Sequence, residues 1–288
     1  MLNFDRWLTA LSLGLSTFLL MPALAAREQT PPATPQQSQQ PARPYEPTVG
    51  MPGKDAVWVP THPAVVESML DMANVTSSDI VVDLGSGDGR TVIAAARRGA
   101  KAIGFEYNPE LVEFSRKLAK EAGVADKASF VQGDMYEADF HDATVLALFL
   151  LPSNLEKLKD KILALKPGSR VVVNTFTVPG WDPDERKWLD KGCTTWCEVK
   201  LHIVPAQIAG AWRGDGIELD LSQAFQKVLG TITADGARAP VENGVLRGDR
   251  LTFSAGGKSY VGTVKGDRIT GTTTAAAPNA PRTWTVTR

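Results

Sequence analysis

The sequence predicts an α/β fold in which a mostly parallel sheet is followed by a small antiparallel β barrel or sandwich. Between residues 80 and 176, short apolar runs alternate with helical patterns, as strands and helices do in parallel sheets. From about Ala206 the helical patterns thin out, and short alternating segments are separated by Gly-Asp and Asp-Gly turns, which favours hairpins. At 288 residues and 43% hydrophobic content, the chain is long enough for one large or two modest domains.

The first predicted strand leads into a glycine-rich turn. The apolar run that ends at Val82 is followed by "DLGSGDGR", and "RTVIAAARR" then has a helical pattern. Glycines allow a ligand to pack against bare backbone, and a helix N-terminus offers free N–H donors. The G-x-G-x-G spacing differs from both the dinucleotide fingerprint and the phosphate loop. Asp83 favours a ligand with a cationic amino-acid end, and the alternative is that it only fastens its own loop.

Acidic residues end the next two predicted strands. Glu106 follows "AIGF", about 20 residues beyond the glycine turn, which is where an acid binds ribose hydroxyls in nucleotide-binding sheets. Asp134 ends the third strand, with a helix N-cap as its alternative role. "DATVLALFLLP" and "RVVVNTFTVPGW" supply the fourth and fifth strands. Because the carboxyl ends of parallel strands share one edge, we expect these acids to line a common crevice.

On these residues the chain resembles the class I S-adenosylmethionine-dependent methyltransferases. The similarity rests on "VWVPTHPAVVESML", "VVDLGSGDGRTVIAAARRGAKAIGFEYNPELVEFSR" and "VVNTFTVPGW", and it covers roughly residues 56 to 182. Within that class it is closer to the protein-lysine methyltransferases that include the mitochondrial ATP synthase c-subunit lysine methyltransferase and small archaeal lysine methyltransferases. The resemblance implies a Rossmann-like methyltransferase sheet with helices on both faces and S-adenosyl-L-methionine as the cofactor.

The resemblance also implies which residues bind this cofactor. Its methionine end, ribose and adenine are expected at the glycine turn, at Glu106 and at Asp134. The complete predicted set is Thr61, Asp83, Gly85, Ser86, Gly87, Gly89, Glu106, Tyr107, Asn108, Asp134 and Met135. An N-cap role is the alternative for Thr61, helix initiation is the alternative for Tyr107 and Asn108, and a core position is the alternative for Met135. No metal site and no catalytic histidine are predicted.

The expected reaction is in-line transfer of the sulfonium methyl group onto a desolvated amine, with a protein lysine as the acceptor. Trp58, Phe176 and Trp181 are predicted to form the acceptor pocket. Two alternatives stay open, because "FLLP" at the end of the fourth strand identifies no amine substrate. One is a methyltransferase with a non-protein acceptor, and the other is a non-catalytic envelope protein that binds a small molecule.

The charge balance argues against a nucleic-acid partner. The formal net charge is −1 and the pI is about 6.3, so no global basic field is present. The sequence predicts no oligomeric state.

The N-terminal residues differ in composition from the rest of the chain. Residues 1–26 contain an apolar run that ends in Ala23-Leu24-Ala25, which predicts a signal peptide or a membrane anchor. Residues 27–54 are rich in proline and glutamine, which predicts a disordered linker. Residues 55–205 are then the methyltransferase domain and residues 206–288 the all-β accessory domain. We therefore expect an exported or membrane-anchored protein of a bacterial envelope, in the periplasm or at the inner membrane, with the side that it faces left open.

The two cysteines of the chain, Cys193 and Cys197, lie four residues apart. In one straight strand their Cα atoms would be ~13 Å apart, too far for a disulfide. We therefore expect two buried thiols, with a disulfide as the alternative if the domain is exported.

Overall fold

The computed structural model describes residues 45–275 and 281–288. The predicted signal peptide or anchor at residues 1–26 therefore lies outside the described residues, as does the predicted linker up to residue 44. The sheet and the barrel both belong to one compact unit, Tyr45–Arg288. None of the helices in the described residues is long and apolar enough to cross a membrane.

The first part of the chain forms a seven-stranded mixed sheet with four helices. The helices are α1 Pro63–Met72, α2 Arg90–Arg97, α3 Pro109–Glu121 and α4 Pro152–Leu163. The strands are β1 Ile80–Leu84, β2 Lys101–Glu106, β3 Ala128–Gln132, β4 Val145–Leu148, β5 Arg170–Asn174, β6 Glu185–Trp188 and β7 Glu198–Ile203. Their order is β3-β2-β1-β4-β5-β7-β6. The first five are parallel, and β7 runs antiparallel to both β5 and β6. The predicted sheet with helices is confirmed.

Local sequence signals start the helices. Proline occupies the first turn of α1, α3 and α4, where its missing N–H costs nothing. Asn108 caps α3 by accepting from the backbone N–H groups of Glu110 and Leu111. The cap of α1 is His62, whose ring accepts from the Ala64 N–H. The N-cap alternative for Thr61 is therefore wrong, because the helix begins one residue later.

Alternation along the strands places apolar side chains on both faces of the sheet. In β1, Val81 belongs to the cluster that α1 and α2 cover, whereas Val82 belongs to the cluster that α4 covers. This two-residue period is the expected one for a strand buried on both faces. Since both faces are filled by helices, the ends of the strands are left for ligands.

The C-terminal part forms a closed antiparallel barrel. Its strands are β8 Gly210–Gly214, β9 Ile217–Ala224, β10 Lys227–Ala234, β11 Ala237–Pro240, β12 Glu242–Arg247, β13 Arg250–Ala255, β14 Lys258–Lys265, β15 Arg268–Ala275 and β16 Arg282–Thr287. Eight of them pair in a ring, because β9 returns to β10, and β11 pairs only with β10. Trp212 and Trp284 are buried in the core of the barrel. The structure thus selects the barrel over the sandwich.

Trp181 ties the sheet to the barrel. Its ring stacks on Phe225 with 5.4 Å between centroids, and it is 1% exposed. Beside it, Asp182 accepts hydrogen bonds from Gln226 and Lys227 of the barrel at 2.7 and 2.6 Å. The prediction that Trp181 lines the acceptor pocket is wrong, because the turn after Val178 directs this ring toward the barrel.

Cys193 and Cys197 form a disulfide in the loop between β6 and β7, with their Cα atoms 5.8 Å apart. The expectation of two thiols is therefore wrong. The loop departs from extended geometry, since Trp196 has a φ of 54°, a region that costs a non-glycine residue about 1–3 kcal/mol. This turn brings the cysteines within bonding distance.

Residues 45–54 pack against the sheet domain, which differs from the expected disordered linker. Tyr45 packs edge-on against Phe114 of α3 at 5.9 Å. Gly50 donates to the Trp58 carbonyl, and Trp58 donates to the Met51 carbonyl, both at 2.9 Å. The apolar side chains among the prolines therefore make packing contacts that the average composition of this stretch does not indicate.

Buried His202 makes the stability of the fold dependent on pH. Burial, aided by nearby Lys200 and Arg186, lowers its pKa from 6.5 to about 4, and its ring packs against Trp181 at 4.8 Å. Between these two pKa values the unfolded chain binds more protons than the folded protein, so stability falls as the pH falls. We expect the unfolding free energy to drop by about 2 kcal/mol from this group between pH 7.5 and pH 5.

Urea unfolding at the two pH values measures this effect. His202→Gln should lose the part of the pH dependence that His202 contributes. His141→Gln, at an exposed site, should keep that drop and enlarge it slightly, because Asp139 and Asp142 raise the pKa of His141 and its protonation stabilises the fold at low pH. An unchanged pH dependence in His202→Gln would contradict the assignment.

Candidate functional site

Two adjoining cavities lie at the carboxyl ends of the parallel strands. The larger has a volume of about 300 Å³ and the smaller about 40 Å³. Trp58, Val59, Gly85 and Phe149 border both. The cavities are therefore neighbouring parts of one cleft, where the order of the strands predicts a ligand site.

The glycine turn forms the floor of this cleft. Gly85 and Gly87 have φ values of 71° and 56°, which glycine adopts without strain. Gly85 borders both cavities and Gly87 the smaller one. The Trp58 indole lies so close to Gly87 that a Cβ atom there would collide with it.

Gly89 has a packing role at the start of α2. It has a φ of 77° at the N-cap of α2, and a side chain there would collide with Phe130 and Ser115. It borders neither cavity. Gly89 therefore allows α2 and α3 to pack close to the sheet, and its direct contact with the cofactor stays a prediction.

Glu106 links the glycine turn to α3. One carboxylate oxygen accepts from the Gly87 N–H and the other from the Asn108 N–H, both at 2.9 Å. Glu106 also borders the larger cavity. Each oxygen keeps acceptor capacity, so this carboxylate can bind two neighbouring hydroxyl groups.

Asp83 is a buried acid at the smaller cavity. Burial raises the pKa of its carboxyl group well above the usual value, and the charges of Glu106 and Asp88 raise this pKa further, while a hydrogen bond from Thr91 lowers it. No basic side chain in residues 45–275 and 281–288 forms an ion pair with it. A ligand ammonium would supply the missing positive charge.

Further polar groups surround the smaller cavity. The Ser86 hydroxyl is buried beside Gly104 and has no hydrogen-bond partner in the part of the chain that the structure describes. Arg90 pairs with Asp88 at 2.6 Å and donates to the Thr61 carbonyl at 2.9 Å. Thr61 therefore borders the cavity, held there by an arginine from the glycine motif.

The larger cavity extends past β2 and β3, where Tyr107, Asn108, Asp134 and Met135 border it. Asp134 accepts from the Tyr136 N–H at 3.0 Å, so it does fasten its own turn. It also forms an ion pair with Lys54, which lowers the pKa of the carboxyl group. The Lys54 ammonium lies 5.2 Å from the centre of the Tyr107 ring, so Lys54 contacts two of the residues at this end of the cleft.

Aromatic side chains form the other wall of the larger cavity. Phe149 follows β4 and stacks on Phe176, which follows β5, at 6.1 Å. Phe149 also contacts Trp196, with 5.7 Å between ring centroids. Together with Trp58, these rings border the cavity. Sequence reasoning found Trp58 and Phe176 and missed the other two, although Phe149 had a usable signal in its position after the fourth strand.

The cleft therefore has two chemically different halves. Carboxylates lie on the side of β1, β2 and β3, whereas the residues that border the cavity beyond β4, β5 and β7 are all apolar: Phe149, Leu150, Leu151, Phe176 and Trp196. One half can hold hydroxyls and a cationic group, and the other can desolvate a neutral nucleophile. The two halves meet at β1 and β4, which are neighbours in the sheet.

Comparison with known proteins places this cleft within a family. A family model described as the ANTKMT methyltransferase domain matches residues 83–185. The protein-lysine N-methyltransferase of Saccharolobus islandicus is 44% identical over 131 residues, which are 44% of this chain and 81% of that protein. The ATP synthase c-subunit lysine N-methyltransferase of Mus musculus is 39% identical over 128 residues, which are 44% of this chain and 51% of that protein.

A solved structure is also similar to this chain. An RNA methyltransferase from Salinibacter ruber, in complex with S-adenosyl-L-homocysteine, is 46% identical, with a TM-score of 0.49. The match covers 52% of this chain and 96% of that one. The chain thus covers most of the Saccharolobus and Salinibacter proteins but only about half the length of the mouse protein.

Proposed function

Because the chain belongs to the family of S-adenosylmethionine-dependent methyltransferases that includes the Saccharolobus protein-lysine N-methyltransferase, we propose that it methylates lysine side chains of a protein. The observation that carries this proposal is the division of one cleft into a carboxylate half and an aromatic half. A methyl donor with a polar nucleoside fits the first half, and an amine that must lose water fits the second.

The residues of the carboxylate half match the functional groups of the donor. Glu106 would accept hydrogen bonds from the ribose hydroxyls, and Asp83 would face the ammonium of the methionine end, as its missing ion-pair partner indicates. The unpartnered Ser86 hydroxyl lies on the same side. Tyr107, Asp134 and Met135 border the remaining space, which is left for the adenine. The bound cofactor supplies an activated methyl group on a sulfonium.

The aromatic half prepares the acceptor. A lysine amine must be neutral to attack, and desolvation between Phe149, Phe176 and Trp196 lowers its pKa. The donor would supply its methyl group to the neutral amine, forming the N–C bond as the C–S bond breaks, and the positive charge left on nitrogen would be lost with a proton. Aromatic faces stabilise that charge. Most of the rate acceleration then comes from alignment of the two reactants and exclusion of water.

Glu106→Gln tests the donor half of the cleft. Loss of a charged acceptor for two hydroxyls should cost 1.5–3 kcal/mol, or about 10- to 100-fold in the dissociation constant. We therefore expect isothermal titration with S-adenosylhomocysteine to show a rise of that size. Glu121→Gln, at the exposed end of α3, should bind as the wild type does. Affinity of Glu106→Gln within threefold of wild type would contradict the ribose assignment.

Transfer of labelled methyl groups tests the reaction itself. The purified chain, incubated with methyl-labelled S-adenosylmethionine and an extract of its source cells, should label protein. Hydrolysis of the labelled protein should release methylated lysine. Label in RNA or lipid, with none in protein, would replace the lysine proposal with a non-protein acceptor, and tight cofactor binding without any transfer would support a sensor.

We also propose that the chain acts on the outer side of the membrane, in the cell envelope. The apolar run before Ala25 and the Cys193–Cys197 disulfide support this proposal, since disulfides persist in oxidising compartments. Alkaline phosphatase fused after Arg288 should be active in intact cells. Green fluorescent protein fused at the same position should give no fluorescence, because it is exported in unfolded form. Bright fluorescence with an inactive phosphatase would reverse the sidedness.

A further inference from the structure

The disulfide loop carries one side chain into the cleft. Trp196 immediately precedes Cys197, and the Cys193–Cys197 bond closes the short loop to which it belongs. The loop lies at the turn of the hairpin formed by β6 and β7, where the Leu189 N–H donates to the Cys197 carbonyl at 3.0 Å. These residues lie beyond residues 83–185, which the family model matches. The family model therefore does not cover the disulfide loop.

Trp196 stands at the mouth of the aromatic half. It borders the cavity and contacts Phe149 at 5.7 Å, yet 44% of it is exposed. Trp196 is therefore part of the wall and is also open to solvent. Val57 and Trp58, from the segment before α1, border the same cavity. Among the rings that border the aromatic half, Trp196 is therefore the one most accessible to an acceptor that arrives from solvent.

The backbone of Trp196 needs an external constraint. Its φ of 54° is a left-handed value that bulky residues rarely adopt. Cys197 is 3% exposed and anchors one end of the loop next to β7, and the disulfide ties the other end to it. Reduction of the bond would free the loop to relax toward an ordinary backbone conformation. The direction of the indole ring thus depends on the disulfide.

We propose that Trp196 is a specificity-determining residue that binds the acceptor side chain, and that the Cys193–Cys197 disulfide is the positioning element that holds it there. This inference rests on the proposed methyl transfer, and it adds a dependence of acceptor binding on the oxidised state. The acceptor is an amine on an aliphatic chain, because the apolar side chains of this half can pack against such a chain while its polar end points toward the donor. Cofactor binding is independent of the disulfide, since the carboxylate half lies on other strands.

Kinetics of matched variants test the proposal. The two test variants are Trp196→Ala and the double variant Cys193→Ser/Cys197→Ser. The control is Trp188→Ala, because Trp188 belongs to the same hairpin, is 62% exposed and does not border the cavity. Initial rates of methyl incorporation are measured over a dilution series of the cell extract. Trp196→Ala and the double variant should raise the acceptor KM about tenfold and leave the affinity for S-adenosylhomocysteine within threefold. Trp188→Ala should change neither quantity.

Fluorine NMR of protein labelled with 5-fluorotryptophan gives a second readout that requires no acceptor. The Trp196 resonance, assigned by its loss in Trp196→Phe, should shift or broaden when the disulfide is reduced and recover when it re-forms. The inference would be overturned if both variants had an acceptor KM within twofold of the wild-type value. It would also be overturned if the Trp196 resonance did not change when the disulfide is reduced. If the wild type labels no protein, the proposed function fails instead, and the resonance still decides whether the disulfide places Trp196.

Discussion

The Glu106 carboxylate joins the three parts of the chain that build the donor half. It ends β2, accepts from Gly87 in the turn after β1, and accepts from Asn108 at the start of α3. Asn108 in turn caps that helix through its own side chain. A single carboxylate thus fixes the N–H side of the turn, while the Ser115 hydroxyl donates to the Gly87 carbonyl on its other side. Because the same oxygens face the cavity, the geometry of the turn and the binding of hydroxyls depend on one side chain.

The sheet separates two tasks that conflict chemically. Carboxylates favour a cation and hydroxyls, whereas a lysine amine becomes a nucleophile only where water and anions are kept away. The order of the strands resolves the conflict. β2 and β3 lie on one side of β1, whereas β4, β5 and β7 lie on its other side. The barrel supports the second side through Trp181 and Phe225. The hairpin that carries the disulfide also contacts the barrel at its start, because Arg247 of the barrel pairs with Glu185.

The donor half could be predicted from the sequence because its signals are local. Glu106 and Asp134 each follow a short apolar run, so their position at strand ends needs no tertiary information. Trp181 lies in an equally suggestive position after β5, but its partner Phe225 comes from the barrel, and no local pattern reveals that contact. Trp196 lacked even a local signal, because its position requires both the disulfide and an unusual φ. The antiparallel barrel was predictable in kind from its turns, but closure depends on the long-range pairing of β9 with β10.

The most direct test of the divided cleft is a crystal structure of the complex with S-adenosylhomocysteine. We expect both ribose hydroxyls within hydrogen-bonding distance of the Glu106 carboxylate, the ammonium beside Asp83, and the sulfur at the border with Phe149. The sulfur should point toward the space between Phe176 and Trp196. A nucleoside bound among the aromatic rings, or a sulfur directed away from them, would contradict the assignment of the two halves.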